Sequence, residues 1–270
     1  MRGRLGTVPT VKSFTHLGRI IDVRYRSNLY AVLVSAGFAA TAWLLDAPPL
    51  AAAGSAFLAW ALGRELDPDR LVTATIAAVT GGAAAIYFEE ASLGALYLFL
   101  ISARILARTT GLAPLTGDLA VHVLIAGFVA RSTVGWIAAL VLASAVALDA
   151  RAEPAAPKSH YGWAAAIAVT ATVVAGISGF DLWGDGLAAA WAFAGLGTVG
   201  ALITIRPEPV TAKGDLTREP LHANRVSLAR QTTLAGAVAV AAFTLAPGIA
   251  ATGAVWTTLS VAGLTRLVSR

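Results

Sequence analysis

The stretch G-R-E-L-D-P-D-R, residues 63–70, packs five charges and one proline into eight positions between two uncharged apolar runs, residues 50–62 and 71–88. A backbone that stays uncharged for that long on both sides of a brief polar break suits a bilayer, where helices satisfy their own amides and loops return to water. Similar punctuation follows later apolar runs: Arg108 with Pro114 and Asp118, Arg151 with Glu153 and Pro154, and Arg206 with Pro207 and Glu208. The expected fold is an all-α, polytopic transmembrane helical bundle.

Composition agrees. The 270 residues are 57% hydrophobic and 13% charged, with a mean hydropathy of +0.72, where soluble domains carry about 25% charge. Ala, Val, Leu and Gly supply much of the apolar content, and small residues let membrane helices approach closely. Cysteine is absent, which removes disulfides, thiolate nucleophiles and cysteine-based metal sites. The net charge is +5, and the basic residues cluster at the ends of apolar runs. Anionic lipid headgroups are therefore the expected counter-charge, and no nucleic acid is expected.

Taken in order, the apolar runs are residues 29–45, 50–62, 71–88, 93–107, 119–130, 134–148, 163–180, 187–205, 232–246 and 249–267. That is about ten short spans, several below the roughly 20 residues of a perpendicular crossing. Tight turns at 46–49, 89–92, 131–133 and 181–186 suggest successive helical hairpins. One set of connections carries Arg64, Arg70, Arg108, Arg151, Lys158, Arg206, Lys213, Arg218 and Arg225, while the opposite turns carry Asp46, Glu89, Glu90, Asp181 and Asp185. Arg131 is the basic exception. The positive-inside rule puts both termini in the cytosol, with the cytoplasmic membrane as the expected location.

Residues 1–28 form a basic cytosolic tail, in which Phe14, Leu17, Ile21 and Tyr25 recur at helical spacing from Val11 onward. This pattern predicts an amphipathic helix in the headgroup plane. Residues 29–270 are then a single transmembrane bundle, a homo-oligomer being compatible with its small-residue faces. The recurring punctuation reads as a weak repeat of roughly 45 to 55 residues, or as the residues that helix ends in membranes converge on anyway.

The candidate polar site is Glu65, Asp67, Asp69, Arg104, Arg108, Asp118 and His122. Three carboxylates within five positions suit Mg²⁺, with Asp67 and Asp69 as metal ligands and arginines for diphosphate oxygens. The plainer reading is a solvated loop in which Asp69 caps the next helix. Arg104, inside an apolar run, either snorkels to the interface or turns inward toward Asp118. His122 is an ionisable residue at depth, with hydrogen bonding to a neighbouring helix as the simpler account. Asp181 and Asp185 flank Trp183 in an outer turn. Trp163, Trp191 and Trp256 fit an interfacial belt, and Gly195, Gly197 and Gly200 mark close backbone approach.

An acidic motif between the second and third spans resembles that of UbiA-type prenyltransferases, membrane bundles with Asp-rich metal–diphosphate loops. The asparagine and aspartate spacing of that family's first motif is missing, and residues 149–160 lack its second. Ten short spans with both ends inside are also similar in layout to the drug and metabolite transporters. Three functions follow. The first is a transporter-like permease for a small solute, the leading expectation. The others are a cytosol-facing enzyme acting on a lipid or isoprenoid phosphate with Mg²⁺, and a non-catalytic membrane scaffold, which predicts a bundle packed solid.

Overall fold

The computed structural model describes residues 14–19, 21–179 and 188–269. They form ten α-helices: α1 (Arg26–Leu44), α2 (Pro49–Leu66), α3 (Leu71–Phe88), α4 (Leu93–Ala107), α5 (Thr116–Val129), α6 (Thr133–Asp149), α7 (His160–Ser178), α8 (Ala188–Thr204), α9 (Ala223–Ala251) and α10 (Gly253–Val268). Among the described residues the one β-type pairing is an isolated bridge between Lys213 and Pro220. Four helices, α1, α3, α7 and α9, are long and apolar enough to cross a membrane.

The boundaries of α3 and α4 coincide with their apolar runs, because no charged residue or proline interrupts the first and Ser102 and Arg104 stay inside the second. The ninth helix departs most. It begins at Ala223, nine residues before the apolar run at 232, because Arg225 and Arg230 are buried on its inner face. It changes direction at Leu245 (φ 52°, ψ −141°), just before Pro247. Proline has no N–H to continue the ladder and sits well in the first turn of a new helical segment. The helical path therefore breaks at 245, next to the run end expected at 246, and the short segment that follows runs to Ala251, whose carbonyl accepts from Ser92 N at 2.9 Å.

The core runs through α4, buried along most of its length, together with the inner faces of α2, α6, α9 and α10. Small residues set the spacing. Gly200 on α8 and Gly263 on α10 bring their backbones together so closely that a Cβ on Gly263 would lie 2.3 Å from Gly200 Cα. A Cβ on Gly236 of α9 would meet the Phe99 ring of α4 at 2.8 Å. Gly195, by contrast, faces open space. Trp256, expected at an interface, is fully buried, with Gly197 against its ring and backbone.

Packing order differs from chain order. The hairpin arrangement holds for α1 and α2 but not for α3 and α4: the 89–92 turn splays them, α3 packing on α2 and α10, and α4 on α2, α6 and α9. The outer helices α1, α5, α7 and α8 expose large apolar side chains, among them Leu33, Leu44, Leu124, Phe128, Ile177 and Leu196. No helix forms over 14–19 or 21–25, so the described part of the expected amphipathic helix is irregular. Leu17 is instead buried in the bundle core, and its carbonyl accepts from Arg104. Burial of this apolar residue within the protein replaces its expected contact with lipid.

Candidate functional site

Charged helix ends meet at one end of the bundle. The ends of α2, α4, α6, α8 and α10 and the starts of α3, α5, α7 and α9 are tied there by side chains that reach between them. A buried carboxylate costs several kcal/mol of lost hydration unless ionic and hydrogen-bonding partners replace the water. Glu65 and Asp149, both 0% exposed, show how that demand is met.

Glu65, in the last turn of α2, accepts from Arg104 Nε of α4 at 2.8 Å and from the Thr109 hydroxyl. Arg19 Nη1 adds a third arm at 3.5 Å, while its Nε lies 3.0 Å from Asp215 in the α8–α9 connection. Asp149, at the end of α6, takes Arg108 Nε at 3.0 Å and Arg225 Nη1 at 2.7 Å on one oxygen. His160 Nδ1 of α7 lies 3.2 Å from the other. Arg225 also donates to the carbonyls of Leu106, Ala152, Glu153 and Pro154, so it binds the ends of α4 and α6 to the loop between α6 and α7. Arg108 caps α4 in the left-handed region, φ 48°.

The remaining acidic residues of the candidate site separate. Asp67 accepts from Arg70 Nη1 at 3.1 Å and the Thr73 hydroxyl at 2.6 Å, and Thr73 in turn meets Thr265 of α10. Asp69 receives Thr211 N, Thr211 Oγ1 and Ala212 N, pinning the α8–α9 connection. It does not cap α3, whose N-cap position is Arg70 with no side-chain cap. The three carboxylates thus point to three sets of partners, because each oxygen is satisfied by a different element. Among the described residues no three metal-ligating side chains come together. The solvated-loop account is also corrected: Glu65 and Asp67 are buried.

Arg104 neither snorkels nor reaches Asp118; it turns inward to Glu65. Asp118 accepts from Leu115 N at 3.0 Å, an N3-to-N-cap bond at the start of α5, and from His16 N at 2.9 Å. His122 bonds Tyr97 of α4 at 3.0 Å through Nε2, and its Nδ1 meets the Asp118 carbonyl at 2.6 Å. Arg131, at the far end, stacks over Phe128, 4.0 Å from the ring centroid, and donates to the Phe128 carbonyl. Asp181, Trp183 and Asp185 lie outside the described residues. A groove of about 320 Å³ between α3, α8 and α10 includes Thr80, Tyr87, Phe193, Leu196, Thr257 and Ser260 in its lining. Its Thr80, Thr257 and Ser260 hydroxyls bond back to their own helices, which leaves the walls apolar.

Asp149, Arg225, His160 and Thr109 were not among the expected site residues. Their signal was available in part: Arg225, Ala229, Thr233, Ala237, Val240 and Thr244 share one helical face, and the small residues of that face extend it back past the apolar run. The chain matches no known protein family, and neither curated proteins nor solved structures yield a match.

Proposed function

We propose that the chain is a multi-pass membrane protein, with its ion-paired end and both termini on the cytosolic side, and that it works as a non-catalytic scaffold. The apolar side chains exposed around α1, α5, α7 and α8 support the membrane setting, since patches of that extent call for lipid or protein cover. The observation that carries the scaffold reading is the ion-paired layer. Glu65, Asp67, Arg104, Arg108 and Asp149 are consumed in contacts with one another or with nearby side chains, which fixes the loops as a rigid platform. An enzyme of the metal–diphosphate kind would need those groups convergent and open.

The cysteine-free chain allows a direct topology test. Single cysteines at Asp46, Glu89, Arg151 and Arg206 are expected to react with an impermeant maleimide from outside at the first two positions only. Proteoliposomes challenged with glycerol, urea and larger neutral solutes are expected to swell at the rate of protein-free vesicles. Solute-selective swelling would overturn the scaffold reading and restore the permease.

A further inference from the structure

We propose that residues 14–19 are a displaceable strap, docked across the ends of α2 and α4 and the start of α5, that opens without unfolding of the bundle and bares the Glu65–Arg104 pair. The inference goes beyond the scaffold reading and does not depend on it.

The strap has no helix or strand of its own. Its local shape comes from Thr15, whose hydroxyl accepts from Leu17 N and Gly18 N. Its attachments are few: Leu17, 3% exposed, is its one buried side chain. His16 N donates to Asp118 Oδ2 at 2.9 Å, and His16 Nδ1 lies 2.7 Å from the Ala113 carbonyl. The Leu17 carbonyl accepts from Arg104 Nη1 at 2.7 Å, and Arg19 bridges Glu65 and Asp215.

What lies beneath can manage without it. Glu65 keeps Arg104 Nε and Thr109, and Asp118 keeps Leu115 N on the same oxygen that His16 uses. Asp215 is 51% exposed, so water can take the place of Arg19 there. Release therefore strands no buried charge, the condition that normally makes such layers open only with the whole fold. The group it frees is Arg104 Nη1, a cationic donor beside a carboxylate.

The test uses the full chain with one thiol, at Leu17→Cys, against a control thiol at Ala229→Cys, which is 0% exposed in α9 just beyond Arg225. With a water-soluble maleimide under native conditions, Leu17→Cys is expected to react at least about 100-fold faster than the control, and slower than a free thiol. Adding Asp118→Asn is expected to speed it about tenfold further by weakening the charge-assisted bond to His16. Equal rates at the two thiols would overturn the proposal, since opening would then be global. A rate equal to that of free cysteine would overturn it too, since nothing would be docked. Hydrogen exchange of the unaltered chain is the companion measurement should a cysteine variant not fold. There, the amides of 14–19 are expected to exchange well ahead of those at the end of α4, and equal protection would sink the idea.

Discussion

Two carboxylates, Glu65 and Asp149, have the same burial and the same chemistry, each shared by two guanidiniums and one further side chain, yet they are built differently. The arms on Asp149 come from the cap of α4, the first turn of α9 and the start of α7, and Arg225 is held by four further carbonyls outside that residue. One of the arms on Glu65 comes from the irregular strap, at a longer distance and with its side chain 25% exposed. A buried ion pair is only as stiff as the elements that carry it. The Asp149 cluster is therefore a clamp, and the Glu65 cluster has a removable part.

The largest expected effect tests the clamp. Arg225→Ala removes every one of those bonds and leaves Asp149 with Arg108 and His160 only. Breaking a buried pair from one side costs about 3–5 kcal/mol, so unfolding by heat or denaturant in mild detergent is expected at much lower temperature or concentration. Arg104→Ala is expected to cost less, about 2–3 kcal/mol, because Thr109 and Arg19 remain on Glu65. If Arg104→Ala proves the more damaging of the two, the contrast between the clusters is wrong.

How much of this was legible in the sequence follows from what sequence patterns encode. Apolar runs located α3 and α4 to the residue, the first uncharged and the second holding Arg104 near its end, since helix limits in an apolar chain fall largely where charge and proline cluster. The same rule misplaces the start of α9, because Arg225 counts in it as a charge of the connection between two spans. A guanidinium is placed inside by its acceptors, and these lie far away in the chain: Asp149 for Arg225, and the Leu66 and Thr204 carbonyls for Arg230. For that reason Glu65 and Arg104 could both be named as site candidates from their positions, while their pairing could not. The local cluster of Glu65, Asp67 and Asp69 misled for the converse reason. Neighbours in sequence at a helix end point in different directions, and each found its partner on a different element.

Arg108 sharpens the comparison at a finer scale. It sits at φ 48°, a conformation that costs a non-glycine residue roughly 1–2 kcal/mol, and it holds Asp149 from there. Arg108→Ala loses the pair and keeps the strain, whereas Arg108→Gly loses the pair and relieves it. Both variants are expected to be less stable than the parent, with the glycine variant ahead of alanine by about 1 kcal/mol in the same unfolding assay. Equal stabilities would mean that the backbone relaxes once the guanidinium is gone, and that the clamp itself imposes the turn.

The smallest effect belongs to the removable arm. Arg19→Gln deletes one charge from a contact that is partly exposed, and exposed pairs contribute only about 0–1 kcal/mol. Global unfolding is therefore expected to shift hardly at all, because Arg104 and Thr109 still neutralise and bond Glu65. The strap should nonetheless notice, since Arg19 is its link to both Glu65 and Asp215. Labelling of Leu17→Cys is expected to quicken severalfold in the Arg19→Gln background, while Ala229→Cys stays unchanged. That pairing of a silent global readout with a responsive local one is what distinguishes a strap from a clamp. An Arg19→Gln variant that destabilised the whole bundle as strongly as Arg104→Ala would show that residues 14–19 belong to the fold's permanent framework.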